Sequence, residues 1–565
     1  MLLPKSNQCR RVYSLNGIWN LQTIKEAYCP DEALKDAQPM AVPASYNDIL
    51  TKKEIIEHVG EVVYEKYFSV PITDNETYRL RIGAASHKCK VYLNGKLIGE
   101  GKNGYYPVDC QLDELKEENR LSVVIDNRLT FQTLPVGRIE DGKQIINHDF
   151  YNFTGIHRDV CVYTLPKDHI DDIIIHTVEE GDYERIRVEL KGQCDNVIYT
   201  VKNKEGAVVA ESRDPNLCIP TPQLWSPQNP YLYTLKVRTE TDCYEETFGI
   251  RKVEVRGSKF LLNDQPIYLK GFGMHEDFFL LGKGNCSAVN IRNFELLKWM
   301  GANSVRTSHY PYSEEFMELA DKYGILVIDE VPAVGMNWWH DNFTSDRIND
   351  KTLALHKELV SNLMERDKNH PCVIMLSVAN EAGTHEPAAR DYFKELILHA
   401  RKETTLPIMT AEFTKYDDGC QIGDLVDVIG LNRYYGWYTD HGNLSVVAEQ
   451  MKDEMKKYYD GFGKPILITE YGADTIEGLH SIPSESFSEE FQREYMEECG
   501  KAFDACDFCI GEQVWNFADF KTKQGLTRIR GNRKGVFTKD RQPKLAAHYL
   551  KFRWENIRRE DEHVI

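Results

Sequence analysis

Three regimes of hydrophobic patterning succeed one another along the chain. Up to residue 166, short runs such as Lys66-Tyr67-Phe68-Ser69-Val70, Thr77-Tyr78-Arg79-Leu80-Arg81-Ile82 and Leu121-Ser122-Val123-Val124-Ile125 are split by turn-forming residues, the rhythm of short β-strands. Asn94-Gly95, between Val91-Tyr92-Leu93 and Leu97-Ile98, is the dipeptide favoured in a two-residue hairpin. Many short strands with little helix predict a jelly-roll β-sandwich over 1–166. A second all-β stretch, 167–257, alternates strictly in Arg185-Ile186-Arg187-Val188-Glu189-Leu190 and Tyr231-Leu232-Tyr233-Thr234-Leu235-Lys236-Val237. Its length of about 90 residues suits an immunoglobulin-like sandwich.

After Gly257 the period changes. Nearly continuous apolar runs alternate with amphipathic helical segments, as βα units do. The runs are Ile267 to His275, Ser304 to Tyr310, Ile325 to Val331, Val373 to Glu381, Ile408 to Phe413, Val426 to Tyr435, Ile466 to Gly472 and Cys509 to Asp519. Strands apolar on both faces belong in a covered parallel sheet. Eight βα units over 258–565, with no glycine-rich phosphate turn after an early strand, predict a (β/α)8 TIM barrel and not an open doubly wound sheet.

Charge narrows the partners. With 69 Lys and Arg against 88 Asp and Glu, the net charge is -19, and no long basic run offers a surface to nucleic acid or an anionic membrane. Met1-Leu2-Leu3-Pro4-Lys5-Ser6-Asn7-Gln8 has no apolar core of a leader, so the chain reads as cytoplasmic. The 14 cysteines are scattered, which in a reducing compartment means free thiols. Cys506-Asp507-Phe508-Cys509, with Cys499 nearby, has no second pair or histidine at ligand spacing. It reads as buried thiols, and no metal site is predicted.

Candidate chemistry sits at two strand ends. Val373 to Ala379 runs into Asn380-Glu381, and Pro465 to Thr469 into Glu470-Tyr471-Gly472. In a barrel the C-terminal strand ends face the active site. Two carboxyl groups across that mouth are what glycoside hydrolysis requires, one to protonate the leaving oxygen and one to stabilise or trap the anomeric carbon. Either glutamate alone is equally well a surface acid; the pair on two matched strands favours the chemical reading.

These residues carry a resemblance. Asn380-Glu381, Thr469-Glu470-Tyr471-Gly472, Gly271-Phe272-Gly273-Met274-His275-Glu276-Asp277 and Asn303-Ser304-Val305-Arg306-Thr307-Ser308-His309-Tyr310-Pro311 together closely resemble glycoside hydrolase family 2, over essentially the whole chain. His148-Asp149-Phe150-Tyr151-Asn152, Leu431-Asn432-Arg433-Tyr434-Tyr435-Gly436-Trp437-Tyr438, Glu512 to Asp519 and Asn532-Arg533-Lys534-Gly535 resemble its β-glucuronidase subgroup. The resemblance implies Glu381 as general acid/base and Glu470 as nucleophile of a retaining, exo-acting hydrolase of β-glucuronides that uses no cofactor. It further implies that Tyr434 hydrogen-bonds the nucleophile, Arg306 keeps it ionised and Asn380 holds the sugar 2-hydroxyl. Asp149 and His275 would take other hydroxyls, while Asn432, Tyr438, Trp515 and Arg528 line the pocket. Asn532 and Lys534 would hold the C6 carboxylate, a charge-assisted contact that suits an ammonium with a neighbouring amide. The resemblance also implies a homo-oligomer, since related enzymes are often homodimers or homotetramers.

Taken singly, His275 is equally a satisfied strand-end histidine, Trp515 a core aromatic and Asp149 a turn residue. Sugar choice stays open between a glucuronide and a β-galacturonide or β-galactoside, and a catalytically silent sugar-binding protein is the reading from another class. Only a short stretch separates the third strand from the helix near Leu353, so an open aglycone side is expected, with Trp338 and Trp339 either a stacking surface there or buried on the rim.

Overall fold

The computed structural model describes residues 2–24, 27–178, 181–336 and 349–557. Trp338 and Trp339 lie outside the described residues.

Two antiparallel sheets build the N-terminal sandwich. Six strands run in the order Gln38–Val42, Gly17–Thr23, Glu61–Phe68, Asn119–Asp126, Lys88–Leu93 and Lys96–Gly101; four run in the order Val12–Ser14, Val160–Pro166, Glu76–Ile82 and Val108–Gln111. Alternation puts Leu80, Val91, Val123 and Val162 into the core between them. Asn94 and Gly95 close the hairpin at positive φ, 50° and 91°, the twist that a two-residue connection demands. In the next sandwich Tyr233, Leu235 and Val237 are buried while Thr234 and Lys236 between them are not fully covered, which is the alternation written in the sequence.

Eight parallel strands then close into a barrel: β1 (Leu269–Gly273), β2 (Ser304–Arg306), β3 (Leu326–Glu330), β4 (Val373–Asn380), β5 (Ile408–Glu412), β6 (Val428–Asn432), β7 (Ile466–Glu470) and β8 (Cys509–Val514). Every residue of β3 to β8 is buried, as strands covered on both faces require. Around them lie α1 (Ser287–Met300), α2 (Glu314–Tyr323), α3 (Asp350–Asp367), α4 (Pro387–Glu403), α5 (Val447–Phe462), α6 (Glu489–Asp504) and α7 (Leu545–Asn556). Local chemistry sets their ends: the Ser313 side chain accepts from Phe316 N at 3.2 Å to open α2, and Gly324 at φ 69° closes it.

The barrel has the eight strands expected, with one variation in its connections. Between β5 and β6 there is no α-helix, only a 3₁₀ turn over Tyr416–Asp418. That connection carries Asp417, Asp418, Gly419 and Gly423 in place of a helical apolar stripe. Tyr416 fills the space by packing edge-on against Tyr458 and Phe462 of α5, with ring centroids 5.5 and 5.9 Å away. Several strands are also shorter than expected: β1, β2, β6 and β8 end before His275, His309, Tyr434 and Trp515. There the chain leaves the ladder, and those side chains sit on the mouth loops.

Candidate active site

A cavity of about 730 Å³ opens at the C-terminal end of the barrel. Asp149, Asn380, Glu381, Asn432, Tyr434, Tyr438, Glu470, Trp515 and Arg528 line it, whereas His275, Asn532 and Lys534 are buried and are not part of that lining. Asn147 and His148 join Asp149 in the wall, so the first sandwich forms part of the cavity.

Glu381 follows β4 and has φ 49°. A non-glycine residue is uncommon in this left-handed region, and such outliers concentrate at functional sites. Its Oε1 accepts from Asn432 Nδ2 at 2.9 Å. The same amide reaches Asn380 Oδ1 at 3.2 Å, while Thr469 Oγ1 donates to Asn432 Oδ1 at 2.7 Å and fixes its orientation. Asn432 is the register partner of Glu470 across β6 and β7, so one amide ties both glutamate-bearing strands together.

Glu470 has stronger donors. Arg306 Nη2 lies 2.5 Å from its Oε1, and Tyr434 OH donates to its Oε2 at 2.7 Å. Arg306 also donates to Glu330 Oε2 at 2.8 Å, and His309 Nδ1 is 2.8 Å from Glu330 Oε1. Burial works against the Glu330 carboxylate, but Arg306, His309 and Ser377 together outweigh it and hold it down at about 2. The guanidinium is therefore shared. Burial pushes the Glu470 carboxyl up to about 8, with Arg306 pulling back, Glu381 adding to the rise and Tyr434 opposing it. Burial raises Glu381 as well, with Asn432 opposing. Both carboxyls are thus raised by burial, and the charge of Glu381 adds to the rise at Glu470, so the pair resists double ionisation. The donors decide which carboxyl keeps a proton: a guanidinium can only donate, so it favours the ionised form of Glu470, while Glu381 faces one neutral amide.

The remaining residues form a charged wall. Arg528 Nη2 pairs with Asp149 Oδ2 at 2.7 Å and donates to Tyr438 OH at 2.6 Å. Asn532 Nδ2 donates to Asp149 Oδ2 at 2.9 Å. Lys534 Nζ donates to Tyr438 OH at 2.7 Å and pairs with Asp474. His275 Nδ1 is 3.0 Å from Tyr310 OH, its ring meets Trp515 edge-on at 5.3 Å, and its buried Nε2 has no hydrogen-bond partner among the described residues.

Sequence reasoning missed Asp474, Glu330 and His309. Asp474 had a signal, an acid four residues beyond the glutamate that ends β7. Among the described residues, Asp321, His370 and Cys372 could gather round a metal ion. Asp321 already serves both neighbours: His370 Nδ1 is 2.5 Å from Oδ2, and Cys372 N donates to Oδ1 at 3.0 Å. These residues lie near the end of α2 and just before β4, at the barrel end away from the glutamates.

Family models match the chain along most of its length: the sugar binding domain of glycosyl hydrolases family 2 over 12–166, a further family 2 domain over 159–251, and the family 2 TIM barrel domain over 253–559. The chain belongs to glycosyl hydrolase family 2. It is 42% identical to a β-glucuronidase of Paenibacillus borealis, covering 98% of each chain. A solved β-glucuronidase from an uncultured Clostridium sp. is 43% identical with a TM-score of 0.96, covering 99% of this chain and 100% of that one. The Ruminococcus gnavus β-glucuronidase in complex with D-glucuronic acid is 37% identical with a TM-score of 0.92, covering 98% of this chain and 99% of that one. This family 2 chain thus has the two sandwiches and the barrel of its relatives. No described helix is long and apolar enough to cross a membrane.

Proposed function

We propose that this family 2 hydrolase is a retaining exo-β-glucuronidase, releasing glucuronate and an aglycone by double displacement. The observation that carries the reading is the unequal donor set of the two glutamates among the described residues: Glu470 faces Arg306 and Tyr434, and Glu381 accepts only from Asn432. In the first step Glu381 gives its proton to the glycosidic oxygen as Glu470 attacks the anomeric carbon and the aglycone leaves. In the second, Glu381 takes a proton from water, which attacks the same carbon and frees Glu470. Retention calls for carboxyl groups about 5–5.5 Å apart. Asn380 would hold the 2-hydroxyl, and Asp149 and His275 other hydroxyls. Asn532, Lys534 and Arg528 would recognise the C6 carboxylate; the names of the relatives, and the D-glucuronic acid bound to one of them, support that sugar.

The test is an initial-rate comparison of matched aryl β-glucuronide, β-galacturonide, β-glucoside and β-galactoside, with the anomer of the product followed by NMR. Glucuronide turnover with the β-anomer formed first is expected. A preference for another sugar, an inverted product, or sugar binding without turnover overturns the reading.

A further inference from the structure

We infer that Cys9 and Cys243 form a redox-modifiable pair, at which a low-molecular-weight disulfide would close a covalent staple between the N-terminal segment and the immunoglobulin-like sandwich. The two residues are 234 positions apart, yet their Sγ atoms lie 3.5 Å from each other, and both are free thiols. A disulfide needs the sulfurs at about 2.05 Å, so from 3.5 Å each moves by less than about 1 Å.

The backbones on either side are already tied. Asn7 Nδ2 donates to the Cys243 carbonyl at 2.8 Å, and Cys9 N donates to Asn7 Oδ1 at 2.8 Å. Next to them Arg10 Nε donates to Asp242 Oδ1 at 3.0 Å, with both side chains buried. Cys243 N also donates to Asp242 Oδ1, at 2.8 Å. Closure therefore asks little of the main chain. Access is asymmetric as well: Cys9 is partly exposed and Cys243 is buried, so a soluble disulfide reaches Cys9 first and Cys243 is placed to resolve the adduct.

The chemistry balances with a small disulfide such as oxidised glutathione. The Cys9 thiolate attacks one of its sulfurs, forming a mixed disulfide and expelling one glutathione thiolate. Cys243, on losing its proton, attacks Cys9 Sγ and expels the second; the two thiolates take up the two protons lost. Burial, together with the neighbouring Cys243 sulfur, pushes the Cys9 thiol up to about 11, so the first step accelerates as pH rises towards that value. From Cys9 the chain runs into Val12–Ser14, which pairs with the Val160–Pro166 strand of the first sandwich. The bond would thus bind the two sandwiches to each other, and by closing so long a loop it restricts the unfolded chain.

The experiment incubates the full-length folded protein with oxidised glutathione at pH 8.5, caps remaining thiols and maps the peptides. The expected result is a Cys9–Cys243 linked peptide, a mass lower by about 2 Da, a Tm higher by about 2–4 °C and unchanged aryl-glycoside kcat. Cys9→Ser should give none of the linkage, and Cys243→Ala should stop at a glutathione adduct on Cys9. A stable adduct on Cys9 in the unsubstituted protein, linkage through a different cysteine, or a linked pair with unaltered Tm overturns the inference.

Discussion

Lys534 and Asp474 form an ion pair in which the ammonium is fully buried and the carboxylate nearly so. Tyr438 OH receives a second proton of the ammonium at 2.7 Å, and Arg528 Nη1 approaches Asp474 at 3.4 Å. With Asp149, the four charged side chains balance. On the proposed reading the carboxylate of a uronate enters beside them, and its negative charge would compete with Asp474 and Asp149 for the same two cations.

That competition makes Lys534 the test of sugar choice. A hydrogen bond to a charged group contributes about 1.5–3 kcal/mol, and truncating one member of a buried charged pair costs about 2–5 kcal/mol. Lys534→Ala should lower kcat/KM on an aryl β-glucuronide by roughly tenfold to several thousandfold. The matched β-glucoside has no carboxylate, so its slow turnover should change little. Equal proportional losses on both substrates would show that Lys534 serves folding and not the carboxylate.

Asp474→Asn removes the resident anion while keeping an acceptor for Arg533 N, which donates to Asp474 Oδ1 at 2.8 Å. An unpaired buried ammonium costs about 3–5 kcal/mol, and the amide oxygen recovers part of that, so the free variant should have a lower Tm. Glucuronate would supply the missing charge. The rise in Tm on adding glucuronate should therefore be larger in Asp474→Asn than in the unsubstituted protein; equal rises would separate Asp474 from carboxylate binding.

Much of this site could be read from local sequence, because β4 and β7 are apolar runs whose last or next residue is a glutamate, and a closed barrel leaves one place for such ends. What could not be read depends on how separate loops meet. Nothing near Asp149 announces that it reaches Arg528, 379 positions away; the family resemblance pointed to both residues but not to their pairing. Glu330 ends a buried strand just as Glu381 follows one, yet it takes a large share of Arg306, which only the barrel's closure determines. The missing helix after β5 was legible in part, since Gly419 and Gly423 interrupt any helical stripe there.

The two glutamates should separate by leaving group. Glu470→Ala should abolish turnover and any trapped glycosyl-enzyme on all β-glucuronides. Glu381→Ala should slow substrates with poor leaving groups far more than activated aryl ones, which need little protonation to depart. If both variants lose the same factor whatever the leaving group, as measured by kcat/KM across a series of aryl aglycones, the assignment of acid and nucleophile is wrong.

The pH profile tests whether the pair shares one proton. On the proposed mechanism activity needs Glu470 ionised and Glu381 protonated, so two protons on the pair are too many and none is too few. Burial raises both carboxyls, that of Glu470 to about 8 with the charge of Glu381 adding to the rise, and for two interacting acids the last proton is a property of the pair. Below that pH the singly protonated form dominates until the second proton binds; above it the pair is doubly ionised and has no acid to give. On an aryl glucuronide with a poor leaving group, kcat/KM should therefore fall as pH rises through about 8. In Glu381→Ala, assayed on an activated aryl glucuronide, no acid is required and the neighbouring charge is gone, so that alkaline limb should vanish. An alkaline limb of the same midpoint in the variant would assign the titration to a group outside the pair.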